Sequence, residues 1–392
     1  MDLKSDVLVI GGGVMGASVA YWITRIAPGT RVSVVEMDPS YARASTALSV
    51  ASIRSQFSNP LNVQISRFGL DFIRSFAREA PEGGVPDLGF KENGYLFLSG
   101  NPDAASLMEE QAAMQRSLGA ATEVLDPAAI AARFPWLNLD DVVAATFGRT
   151  GEGWFDNMGL LGGLRAQARA QGAEFVTDRV VGLEREGDAV VAAILAQAGR
   201  VEAAAFVNAA GTRASELLRW LGEEFPVEPR KRTVFVIDAP NARHPEAPLL
   251  VDHTGFYLRP EHGQWITATV PAEDGPCDAD DFEPDHAQFE ELIWPALYAR
   301  APGFDAVKVT RFWVGHYAYN TLDQNAILGR HPGFQNLYLA NGFSGHGLQQ
   351  APAVGRGLAE VILTGDWQSL DLSDLDMRRV IAREPFLEKA IV

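Results

Sequence analysis

A single cysteine, Cys277, stands in 392 residues, so the chain has neither an internal disulfide nor a cysteine-rich metal site. Positive charge is also scarce. The formal net charge is -17, and no cluster of Lys and Arg offsets it locally. That balance gives no electrostatic reason to hold a phosphate backbone, and no nucleic-acid partner is expected. Long apolar runs are missing too: "VLVIGGG" and "FVNAAG" end in glycine well short of the about 20 residues that cross a bilayer, so no transmembrane segment is expected. The opening "MDLKSD" leaves no room for a targeting leader before the first strand, which makes the expected location cytoplasmic. Low-complexity tracts and internal repeats are absent.

What is present is a chain with 47% hydrophobic residues, long enough for two or three domains' worth of core. Asp6 to Ile10 reads as a strand, Val14 to Ile26 as a helix and Arg31 to Glu36 as a second strand, a compact βαβ unit. Leu61, Ile65, Phe68, Phe72 and Phe76 then recur at helical spacing, the core stripe of a long amphipathic helix. From "EFVTDRVVGLE" to "AAAFVNAAG" the pattern is a β-meander with a turn at Gly187-Asp188. Between Glu228 and Tyr319 the runs "TVFVID", "GFYLRP", "QWITATV" and "VTRFWVGHYAY" suit antiparallel sheet, with one helix near His286 to Arg300. The last unit is a strand, a glycine-rich turn and a helix that stops at Gly365.

Gly11, Gly13 and Gly16 match G-x-G-x-x-G directly after a strand and at a helix start. The spacing lets backbone approach a pyrophosphate lying on the helix N-terminus. Glu36 closes the next strand, about 20 residues on, where an acid meets ribose hydroxyls. The same fingerprint serves NAD and FAD. Two further strand-to-glycine turns, "FVNAAGTRASELL" and "YLANGFSGHGLQQAPAVG", favour FAD, because an isoalloxazine needs a second backbone cradle and a helix N-terminus beyond one Rossmann crevice.

These three segments, in this order, resemble the FAD-dependent amine and amino-acid oxidoreductases of the sarcosine oxidase, glycine oxidase and D-amino-acid dehydrogenase kind. The resemblance runs over essentially the whole chain. It implies a mixed α/β (α+β) fold: a discontinuous Rossmann-like FAD-binding domain over 1–85, 145–227 and 325–392, and an interleaved substrate domain over 86–144 and 228–324 on a largely antiparallel sheet. It also implies oxidation of a carbon–nitrogen bond by hydride transfer to the flavin. Cofactor contacts are then expected from Gly11, Gly13, Gly16 and Glu36, from Arg43, Ser45 and Thr46 along the pyrophosphate and ribityl chain, and from Val180 at the adenine. Gly211 belongs to the second turn, and Gly342, Phe343, Ser344, Gly345 and Gly347 to the turn that lines the flavin ring.

On the substrate side, oxidising an amino acid requires a fixed cation for the carboxylate and an apolar cage that excludes water. The resemblance points to Arg54 as that cation and to Tyr257, Tyr317 and His346 around the substrate. The chain departs from the family at three places. Gly315 replaces the cysteine that links flavin in several relatives, so non-covalent FAD is expected. Gln349 replaces a carboxylate-binding lysine. Trp265 and Ile266 occupy the strand where oxidases hold a lysine that activates dioxygen, which favours a dehydrogenase with an acceptor the sequence does not name. The substrate is expected to be a small amino acid or amine. A deaminating D-amino-acid dehydrogenase and a flavin-binding assembly or interaction protein stand as alternatives.

Overall fold

The computed structural model describes residues 4–80 and 84–388; residues 1–3 and 81–83 of the expected segment 1–85, and 389–392 of the segment 325–392, lie outside the described residues. Two eight-stranded sheets organise them. In the first, Lys4–Ile10 runs parallel between Val32–Glu36 and Gly199–Asn208, and Glu174–Thr177 and Leu337–Asn341 extend the parallel set on either side. The apolar "VLVI" run is buried in the middle of that sheet, as a strand covered on both faces demands. The expected meander is there: Val180–Glu186, Ala189–Leu195 and Gly199–Asn208 pair antiparallel in succession.

The second sheet is antiparallel except where Leu249–Val251 runs parallel to Tyr95–Ser99. Its long arm pairs Val227–Asp238 with Lys308–Asn320 and Gln264–Thr269. Its short arm includes Ala144–Gly148, paired with Tyr95–Ser99 and Thr122–Leu125. Residues 145–148, expected with the first unit, thus join the second sheet, because the apolar "AATF" stretch completes the ladder beside Tyr95–Ser99.

Helices fix the first sheet. Val14–Ile26 packs on Gly347–Thr364, where the Ser18 hydroxyl donates to Ala351 O at 2.7 Å and a Cβ at Gly355 would meet Ser18 Oγ at 2.1 Å. The long helix Pro60–Glu79 begins as its sequence directs: Asn59 caps it by accepting from the Leu61 N–H, with Pro60 in the first turn. Gly365 ends the last long helix in the left-handed conformation, φ +88°. The helix expected near His286 starts at Phe289 with one π turn and continues as Trp294–Arg300. Among the described residues, no helix is long and apolar enough to cross a membrane, and no group of three metal-ligating side chains comes together.

Candidate active site

Residues of both sheets wall a cavity of about 710 Å³, within the roughly 300–1,000 Å³ of small-molecule and cofactor sites. At one end the wall is mainly backbone. Gly11 adopts φ +100°, and a Cβ there would sit 2.3 Å from Ala209 O, so only glycine lets the strand turn outward into the helix. The Gly12 N–H donates to Glu36 Oε2 at 2.8 Å and the Asp38 N–H to Oε1 at 2.9 Å, which fixes the carboxylate at the cavity edge. Gly13, Arg43, Ser45, Thr46, Val180 and Gly211 line the same stretch. Thr46 Oγ1 accepts from the Val14 N–H at 3.1 Å, Ser45 donates to His316 O at 2.8 Å, and the Arg43 guanidinium lies over the Phe282 ring.

The far turn, "NGFSGHG", is tied to the strand Lys308–Asn320. The Ser344 N–H donates to Ala318 O at 3.0 Å, and Ser344 Oγ accepts from the Asn320 N–H at 3.0 Å. Phe343, Ser344, Gly345, His346 and Gly347 all reach the cavity. A Cβ at Gly345 would meet the Tyr317 ring at 2.7 Å, so the missing side chain makes room for the tyrosine.

Beyond it stands Arg54, 3% exposed on the cavity wall. Its guanidinium lies 4.1 Å from the Phe57 ring centroid and 5.3 and 5.9 Å from those of Phe97 and Tyr95. It donates to Gln56 O and meets His346 Nε2 at 3.2 Å. Burial, with the Arg54 charge beside it, pushes the His346 imidazole down to about 3, so the ring is neutral and Nε2 is the acceptor toward Arg54. Burial raises the phenols of Tyr95, Tyr257 and Tyr317, which stay protonated around the same space.

Arg54, Tyr257, Tyr317 and His346, far apart in sequence, are therefore brought together. Four other expectations change. Gly16 does not line the cavity; a Cβ there would lie 1.9 Å from Gly11 O, so it serves helix–strand contact instead. Gly342 is also off the wall, turning at φ +70° against Asn320 and Val227. Gln349 lines the cavity, but its Oε1 accepts from the Arg54 backbone N–H at 2.8 Å, which makes it a support of Arg54. Trp265 points the other way, into the core of the second unit against Phe304, with its indole N–H on Ala242 O at 2.9 Å. Ile266 packs with Val234 and Ala268 and is not on the wall either.

Sequence reasoning missed several contributors. Tyr95 sits in the unremarkable strand "YLFLS". Glu152 is buried behind Arg54, and its only signal is an acid between two glycines in "TGEGW". The acidic stretch around Cys277 is tied to the long arm through Lys231–Asp281 and Arg232–Asp274 ion pairs and to the turn Gly211–Arg213 through Arg213–Asp280, and it sets Ala279, Asp280 and Phe282 on the wall. Cys277 itself, half-buried with its thiol 3.4 Å from Pro229 O, is not on the wall.

These features fit FAD. Two helix N-termini, at Val14 and Gly347, open on the cavity, where neither has a side-chain cap from its own N-cap residue; such ends favour anionic groups. The backbone-lined stretch admits a pyrophosphate. His316, on the wall, has a buried Nε2 with no hydrogen-bond partner among the described residues, as expected where a ligand supplies one.

Comparison with known proteins agrees. The family model described as FAD dependent oxidoreductase matches residues 6–361. A Xenopus laevis protein called FAD-dependent oxidoreductase domain-containing protein 1 is 38% identical, the match covering 99% of this chain and 85% of that protein. Mouse mitochondrial dimethylglycine dehydrogenase is 28% identical, with 96% of this chain matching 44% of that longer protein. Among solved structures, L-proline dehydrogenase from P. horikoshii superposes with a TM-score of 0.87 at 25% identity, covering 98% of this chain and all of that one (100%).

Proposed function

The chain belongs to the FAD-dependent oxidoreductase family, and from that premise we propose that it oxidises the carbon–nitrogen bond of a small amino acid or N-substituted amine. The observation that carries this reading is Arg54, a buried guanidinium on the cavity wall inside a cage of aromatic rings. FAD, when bound, supplies the hydride acceptor. Arg54 takes the substrate carboxylate through a charge-assisted, forked contact. Gln349, through the Arg54 backbone, and His346, at Nη2, hold that fork in place. Tyr95, Tyr257 and Tyr317 exclude water and leave the α-carbon facing the flavin end of the cavity. His346 is too weak a base to take the amine proton, so the amine is bound in its neutral form and its proton goes to solvent before oxidation. The names of two relatives, a proline and a dimethylglycine dehydrogenase, support a carboxylate-bearing secondary or tertiary amine.

The flavin is held non-covalently on this reading, since Gly315 offers no nucleophile on the wall and Cys277 lies off it. An acceptor other than dioxygen is favoured by charge. A fixed cation beside the flavin stabilises the superoxide that forms on reaction with oxygen. Here Arg213 and Arg232 are neutralised by acids, burial keeps His316 and His346 neutral, Arg259 is committed to Glu261 and Val50 O, and the substrate takes Arg54. Purified protein should be yellow and should release all flavin on acid precipitation. Its substrate-reduced form should reoxidise slowly in air and quickly with an artificial quinone. A yellow acid pellet would show covalent attachment, and fast reoxidation by air would show an oxidase.

A further inference from the structure

Glu152 is a buried carboxylate close to Arg54 that this chemistry leaves without a role. It is 2% exposed and lies off the cavity wall, in the turn between Ala144–Gly148 and Gly153–Trp154. A carboxylate in such a position costs free energy unless its oxygens accept hydrogen bonds. Each has a donor. Oε1 accepts from the Ser55 N–H at 2.8 Å and Oε2 from Gln56 Nε2 at 2.7 Å. The same Gln56 amide donates to Tyr95 O at 2.9 Å, and its own oxygen has no partner among the described residues, so the amide is oriented entirely by its acceptors. The Gln56 backbone carbonyl in turn accepts from the Arg54 guanidinium. A continuous chain of contacts runs from Glu152 through the two residues after Arg54 and back onto the guanidinium.

We propose that Glu152 is a positioning residue for carboxylate recognition: by holding Ser55 and Gln56 it fixes the direction in which Arg54 presents its fork to the substrate. This rests on the reading of Arg54 as the carboxylate site. A bidentate contact is lost when its fork rotates by a fraction of its own width, so the loop that aims Arg54 matters as much as its charge. Glu152→Gln keeps the shape but turns one acceptor into a donor, facing either the Ser55 N–H or the Gln56 amide, and one anchor is lost.

The test uses the flavin-loaded full chain and two small probes, propionate and its uncharged counterpart propionamide, titrated by the change they cause in the flavin absorption spectrum. Wild type should bind propionate more tightly than propionamide. Glu152→Gln should weaken propionate roughly 10-fold or more, with propionamide and flavin content unchanged. With any amino acid that reduces the flavin, KM should rise by a similar factor while the limiting rate of reduction stays near wild type. Equal propionate affinity in wild type and Glu152→Gln would overturn the role of Glu152 alone. No preference for propionate in wild type would overturn the Arg54 reading and this proposal with it. Should Glu152→Gln fail to give folded holoprotein, Gln56→Met cuts the same chain of contacts with the carboxylate left in place and carries the same outcomes.

Discussion

At the Glu36 end of the cavity the wall is mainly peptide backbone, held open at Gly11, where a Cβ would collide with Ala209 O. At the Arg54 end it is side chain: a guanidinium, three tyrosines and a histidine, each supplied by a different element, with the guanidinium backed by Gln349, His346 and the Gln56–Glu152 contacts. On the proposed reading, the first end takes groups that every FAD carries, and backbone suffices for that because it is the same whatever the surrounding sequence. The second end then discriminates one small molecule from another, which takes side chains and a scaffold to aim them.

The largest effect that separates the two ends is expected from Arg54→Ala. Loss of one partner of a buried, hydrogen-bonded charge pair costs about 2–5 kcal/mol, so affinity for a carboxylate should fall roughly 30-fold to several thousand-fold while flavin content barely moves. Flavin loss with unchanged substrate affinity would place Arg54 at the cofactor end instead.

A smaller effect belongs to Glu152, whose carboxyl is pushed up to about 7 by burial, against the hydrogen bonds from Gln56 and Ser55 and the charge of Arg54. The folded value lies above the unfolded one, so the folded state binds more protons between about 4.5 and 7. Its contribution to stability is fully present below about 4.5 and is lost as pH rises through about 7, by at most about 3 kcal/mol. Urea unfolding at a series of pH values should show that decline in wild type and a flatter profile in Glu152→Gln. An identical slope in both would remove Glu152 as the source. His346 should add nothing to pH–rate profiles between about 5 and 9, because it is neutral throughout.

The smallest effect tests the backbone end. A methyl group at Gly16 would lie 1.9 Å from Gly11 O, so Gly16→Ala should cost about 1–3 kcal/mol and weaken flavin retention. The relative preference among substrates should not change. A shift in substrate preference would mean that the two ends are not independent.

The contrast also explains what the sequence made legible. Gly11, Gly13 and Glu36 were readable because a backbone site has strict local requirements, a strand, a glycine turn and an acid at a set distance. The second sheet was readable as antiparallel from period-two runs, but which face each residue takes depends on register. Trp265 and Ile266 show the cost: the pairing Arg259 with Ile266 sends Trp265 into the core, and no local pattern announces it. Glu152 and Tyr95 gather at Arg54 only through tertiary contacts, and one buried acid between two glycines carries no periodic signal. In the acidic segment around Cys277, Asp274, Asp280 and Asp281 pair with Arg232, Arg213 and Lys231, and the same segment sets Phe282 on the cavity wall, which no local pattern announces.

The central claim is that the two ends meet in one reaction, in which bound FAD is reduced by an amine whose carboxylate is held at Arg54. Anaerobic bleaching of the bound flavin tests it directly, with a panel of α-amino and N-methyl amino acids run beside their carboxamides. The account predicts that at least one amino acid bleaches the flavin, that its amide does so far more slowly at equal concentration, and that Arg54→Ala erases the difference. Flavin that no amine or amino acid reduces would contradict it and favour a flavin-stabilised interaction protein; equal bleaching by an acid and its amide would leave the oxidation standing but remove Arg54 from substrate recognition.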